Sequence, residues 1–185
     1  MINCVYSKMK CVIKSAGILS VLLILVGCAS SHVIKAASPM MFSKPVSMDV
    51  IYVTIASSTN CFEAERNELS DAVISGLKAS AMFTTVTGDK TALGSGNGIK
   101  INAEIKEIKR VTDDAREWAG ALAGHAHILV EVTVSDLKSG NKIEVFEVVG
   151  QSGASAFAGT TDEAIQRATQ KIVTEFLKLN AQTGL

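Results

Sequence analysis

The chain has 185 residues with 18 Lys+Arg against 18 Asp+Glu, a formal charge of zero, and only 5% aromatic residues. That balance excludes the basic, base-stacking surface expected of a nucleic-acid binder. At 48% hydrophobic and 19% charged the chain is too apolar for disorder, and its length suits one globular domain.

Residues 1–27 read as an export signal. Lys8, Lys10 and Lys14 form a basic start with no acidic residue. The apolar run from Ala16 to Val26 follows; it is shorter than the roughly 20 residues of a membrane-spanning helix and fits a signal core. Leu25-Val26-Gly27-Cys28 then resembles the lipobox of bacterial lipoproteins. That resemblance implies cleavage before Cys28 and acylation of its thiol and new amino group. Each buried methylene contributes about 0.8 kcal/mol, so two or more chains on one residue hold a protein firmly to a membrane. Ala29 follows the cysteine. By the same resemblance, the lack of Asp there implies the outer membrane, periplasmic face. Loss of 1–27 leaves 15 basic and 18 acidic residues, a net charge of −3. It also leaves Cys61 as the one thiol beside Cys28, so no internal disulfide is expected.

Residues 28–45 read as the lipidated cysteine and an extended tether, rich in Ala, Ser and Lys with Pro39 and Pro45. Met40, Met41 and Phe42 are apolar for a tether and are expected to dock on the domain. Residues 46–185 form that single domain.

Asp49–Ala56 is short and β-branched, hence a strand. Asn60 and Glu63 have capping-box spacing, and Phe62, Leu69, Val73, Leu77 and Ala81 recur at helical intervals. Phe83–Val86 reads as a short strand. Gly88–Gly98 fits neither dinucleotide nor P-loop spacing and reads as a surface connection. Ile99, Ile101, Ala103 and Ile105 alternate with Lys100, Asn102, Glu104 and Lys106, a half-buried strand. The apolar phase then moves to Ile108, which predicts a bulge near Glu107. His125–Leu137 and Lys142–Gly150 read as a hairpin turning at Ser139-Gly140-Asn141. Thr160 and Glu163 repeat the capping-box spacing. Ile165, Ala168, Ile172, Phe176 and Leu179 predict a core-facing helix that stops near Asn180.

The expected order is β-α-β-β-β-β-α. It predicts an α+β two-layer sandwich, with a mixed, largely antiparallel sheet of about five strands and two helices on one face.

Three stretches carry a family likeness: Gly120–Gly124 leading into Ala126–Val134, Asp136–Gly140 at the hairpin turn, and Gly159–Ile165. They resemble an uncharacterised family of bacterial lipoproteins. At the level of layout the domain is also similar to the N-terminal domain of TolB and to the periplasmic domain of curli-secretion lipoproteins. The resemblance implies protein partners in the envelope and carries no catalytic residue.

His125 and His127 share an i, i+2 spacing, with Glu131 further along, and are the weak candidates for a metal. Two imidazoles and one carboxylate fall short of a structural zinc set, so a polar strand face is the expectation. Cys61 near a helix start is either a reactive thiol or a small buried hydrophobe. Asp113 and Asp114 beside Arg110, Arg116 and Glu117 read as a charged loop or a short solvated helix, with the solvated loop favoured. Trp118 and Phe157, set among small residues, are candidates for an interaction surface, or equally for loop residues tucked into the core. No nucleophile elbow, HExxH, CxxC or EF-hand loop is present, and Gly150–Ala154 lacks the last glycine of the elbow.

These features predict a non-enzymatic envelope lipoprotein without cofactor, anchored through Cys28. Its expected partner is another envelope protein or a further copy of itself. A periplasmic small-ligand or metal carrier is the alternative.

Overall fold

The computed structural model describes residues 30–36, 49–57, 62–93, 97–111, 114, 117–118, 124–153 and 159–182. The signal segment, Cys28, Asn60, Cys61, Asp113, Arg116 and Phe157 lie outside them. The elements are β1 (Ser30–Ala36), β2 (Val50–Ser57), α1 (Glu63–Ala79), β3 (Thr85–Thr87), β4 (Ile99–Lys109), β5 (His127–Asp136), β6 (Lys142–Gln151) and α2 (Thr161–Gln182).

Alternation decides the faces of the sheet. Ile99, Ile101, Ala103 and Ile105 of β4 are fully buried, as are Ile128, Val130, Val132 and Val134 of β5. The intervening residues stand half-exposed on the opposite face. Six strands form one mixed sheet in the order β1-β6-β5-β4-β2-β3. β1, β6, β5 and β4 are antiparallel neighbours, whereas β4, β2 and β3 run parallel. The shift in apolar phase within β4 is a register irregularity between Ile105 and Glu107.

Both helices lie on one side, so the α+β sandwich expected from the sequence is the architecture found. α1 packs on β2 and β3, and α2 packs on β5, β6 and β1. Leu69, Val73 and Leu77 of α1 are buried with Ile165, Ala168, Ile172 and Phe176 of α2. Burying each large aliphatic side chain contributes about 1.5–3 kcal/mol. The helices approach closely where Gly76 faces Val173; a Cβ on Gly76 would stand 3.0 Å from Val173 Cγ2.

Five local expectations need correction. Ser30–Ala36, read as tether, is a sixth strand on the edge of the sheet, antiparallel to β6. Its β-branched centre, Val33-Ile34, suits a strand, and a partner far along the chain, Val148 opposite Val33, supplies what the local sequence does not display. α1 begins at Glu63 without a side-chain cap, and Ala81 lies beyond its end, exposed, at φ +54°. Only half of the Thr160 capping box forms. The Glu163 backbone N–H donates to Thr160 Oγ1 at 3.4 Å, while the Glu163 carboxylate accepts from the Gly153 N–H at 3.3 Å. Asn180 is buried within α2, which continues to Gln182.

Candidate functional site

The register places one residue from each of four strands in a single row: Ser30, Gln151, His127 and Lys109. This row is the end of the sheet at which β1 begins and β4 and β6 finish. β2 also ends on this side, because it runs parallel to β4.

Buried hydrogen bonds tie the connections at this end together. Ser152 is fully buried; its hydroxyl accepts from the Ala126 N–H at 2.9 Å and donates to the Gly159 carbonyl at 2.9 Å. Thr161, the first residue of α2, accepts from the Val111 N–H at 3.2 Å. Both ends of the 111–124 connection are therefore fixed close to the start of α2.

Arg110 follows β4 in irregular, exposed chain, and its side chain is held in place. Its Nε donates to the carboxylate of Glu65 in the first turn of α1, and its guanidinium lies 5.4 Å from the centre of the Phe62 ring. The Arg110 hydrogen bond, opposed by burial, holds the Glu65 carboxyl below the ordinary carboxylate range. Glu65 was not singled out in the sequence. Its signal was there: an acid four residues before Leu69, in the same helical phase as the buried positions.

The two histidines take separate partners. His125 Nδ1 lies 3.1 Å from the Ser152 carbonyl, which can only accept, so this nitrogen carries the proton. His127 Nε2 lies 3.1 Å from Glu107 Oε1. Glu131 is engaged by Lys106 instead. Among the described residues, no group of three or more His, Cys, Asp or Glu side chains is placed to hold a metal ion.

Trp118 is 91% exposed, and Asp114 and Glu117 beside it are also exposed. Phe157, its expected companion, lies outside the described residues. Cys28 lies there too, two positions before the first residue of β1.

The open face of the sheet carries a second feature. Glu104, Glu131 and Glu147 stand directly opposite one another on β4, β5 and β6, with Lys35 of β1 next in register. Lys106 at the β4 irregularity lies 2.8 Å from Glu104 and 3.4 Å from Glu131. Its hydrogen bond to Glu104 raises the Lys106 pKa above the ordinary lysine value. On the same face, Thr54 donates to Asn102 Oδ1 at 2.8 Å. Lys106 thus bridges two of the three carboxylates, and nothing in the described geometry converges on a reacting atom.

No protein-family model and no curated protein matches the chain. Solved structures do resemble its fold. The PelC dodecamer from Paraburkholderia phytofirmans superposes with a TM-score of 0.54 at 16% identity, covering 78% of this chain and 95% of that one. A second PelC dodecamer structure from the same organism gives 0.50 at 14% identity, covering 77% and 95%. A hypothetical protein from Chlamydia trachomatis gives 0.47 at 13% identity, covering 70% and 96%. At these identities the likeness is one of fold. No helix among the described residues is long and apolar enough to cross a membrane.

Proposed function

We propose that this protein is a lipid-anchored, non-enzymatic component of the bacterial envelope that works by assembling with copies of itself or with another envelope protein. The observation that carries the reading is the close succession of the lipobox cysteine and the first strand. Cys28 stands two positions before Ser30, which pairs with Gln151 at the edge of the sheet. An acyl group on Cys28 would thus be joined to a folded edge, with almost no intervening chain.

Two further features support assembly over catalysis. On the open sheet face Lys106 is engaged by Glu104 and Glu131, and the described side chains of that face do not converge on a reacting atom. The fold resembles that of PelC, a dodecamer in its own structure, which favours self-association as the first form of assembly to test. The outer membrane is the proposed location, because Ala29 stands where a retention signal would require Asp.

The test is labelling of growing cells with a palmitate analogue, then chemical crosslinking and capture of the tagged chain from detergent-solubilised membranes. The expected result is a labelled protein in the outer-membrane fraction that crosslinks into a ladder of copies or to one defined envelope protein. Cys28→Ala should abolish both label and membrane recovery. A labelled chain that remains monomeric and uncrosslinked would count against the assembly role. An unlabelled chain would count against the anchor.

A further inference from the structure

The link between Cys28 and the sheet determines which end of the domain meets the bilayer. Two residues span at most about 7 Å when fully extended. A tether reaching to residue 45 would have let the domain stand off and turn freely, but β1 starts at Ser30 and is hydrogen-bonded to β6. The row Ser30, Gln151, His127 and Lys109 is therefore held at the anchor.

The connection that bears Trp118 is rooted at the same end. It leaves from Val111, which is bonded to Thr161 at the start of α2. It returns at Gly124, just before His125 and Ala126, which are bonded to Ser152. Both feet of the connection stand beside the anchored row, and the indole between them is 91% exposed. An indole combines a large apolar ring with one N–H donor, and it partitions to the boundary between lipid and water. The contact is apolar and not electrostatic: among the described residues of this end, Lys109 and Arg110 stand with Glu65, Glu107, Asp114 and Glu117, which leaves no basic patch.

We propose that this end of the sheet lies against the bilayer that holds the Cys28 acyl chains, with the Trp118 side chain at the lipid–water interface. The proposal rests on the lipoprotein reading and deepens it by naming what the Trp118 surface contacts. The opposite end, with the Leu137–Asn141 turn, Met82 and the last turn of α2, then faces the aqueous compartment. Partner contacts would belong there or on the sides of the domain.

Trp118 is the single tryptophan of the chain, so its fluorescence reports on this position alone. The acylated full-length product is reconstituted into vesicles of phosphatidylethanolamine and phosphatidylglycerol, with and without brominated acyl chains. The expected result is blue-shifted emission that is mostly lost with brominated lipid and is resistant to iodide. A Trp118→Phe/Met82→Trp variant moves the reporter to the far end, where Met82 is 53% exposed. Its emission should be water-like, sensitive to iodide and indifferent to brominated lipid.

Mass spectrometry of the same sample separates this proposal from its premise. Acylated Cys28 with Trp118 still water-like and iodide-sensitive overturns the docking and leaves the anchor standing. Blue-shifted Trp118 emission that brominated lipid does not quench overturns the docking in favour of a protein–protein contact. Equal quenching of both reporters overturns the orientation. An unacylated Cys28 removes the premise and the proposal together.

Discussion

Gly150 of β6 lies directly against Ala164 in the first turns of α2: a Cβ at residue 150 would fall 2.1 Å from the Ala164 carbonyl oxygen and 2.6 Å from the Ala168 nitrogen. Both obstacles are backbone, so no side chain can move aside. α2 must withdraw from the sheet, which loosens the fully buried Ile165 and Ala168. Gly150→Ala should therefore cost about 3 kcal/mol. Gly140→Ala, at φ +72° with nothing within 4 Å, should cost only about 1 kcal/mol of backbone strain. Urea midpoints of the two variants compare them directly, and equal losses would contradict the close-approach argument.

The Glu65–Arg110 pair fastens the start of α1 to the end of β4. Its carboxyl is depressed by the Arg110 hydrogen bond, so the folded state favours the ionised form more than the unfolded chain does. The pair's stabilisation is present above the ordinary carboxylate range and disappears as pH falls through the depressed value. Glu65→Gln should lose about 1–3 kcal/mol at neutral pH, with a gap to the wild type that closes in acid. Stability measured from pH 7 down to pH 3 checks this; a gap that stays constant would remove the ion pair as its cause.

Much of the sheet was legible because its signals are local. The alternation from Ile99 to Ile105, the change of phase at Ile108 and the spacing of Ile165, Ala168, Ile172 and Phe176 each lie within a few turns of chain. β1 was not legible. An edge strand is completed by hydrogen bonds to a distant partner, and its flanks of Ala, Ser and Lys resemble a linker. The candidate end was legible only in pieces. Trp118, His125 and His127 stood out by residue type, but their placement beside Ser30 depends on register across four strands. The partner of Arg110 was not legible because Glu65 lies 45 residues earlier, in a helix whose phase must be known first.

β1 is the newest member of the sheet in this sense, and it is testable on its own. Val33 pairs with Val148 and packs partly buried against the core on the helix-covered side. Val33→Asp removes that burial and places a charge beside the core, a loss of about 1–2 kcal/mol for the apolar contact alone. His32→Asp, at an exposed position in register with Val149 on the open face, should change stability little. Hydrogen exchange should show faster exchange of the β1 amides in Val33→Asp while β5 stays protected. If the β1 amides exchange freely in the wild type, residues 30–36 are a tether after all, and the anchor has the reach that a paired strand denies it.

The carboxylate row on the open face makes a prediction about salt and pH. Like charges directly opposite on neighbouring strands repel, and Lys106 lies between two of them, Glu104 and Glu131. Lys106→Met keeps the length and apolar stem of the side chain and removes its charge. The three groups are partly exposed, so the neutral-pH loss should be small. Its origin would be recognisable from its response. Adding salt screens the repulsion, and acid neutralises the carboxylates, so both treatments should bring the variant back toward the wild type. Glu131→Gln in the same chain should do so at neutral pH and low salt, because it removes the central charge of the row. A loss that persists through all three treatments would assign Lys106 a packing role at the β4 irregularity and not an electrostatic one.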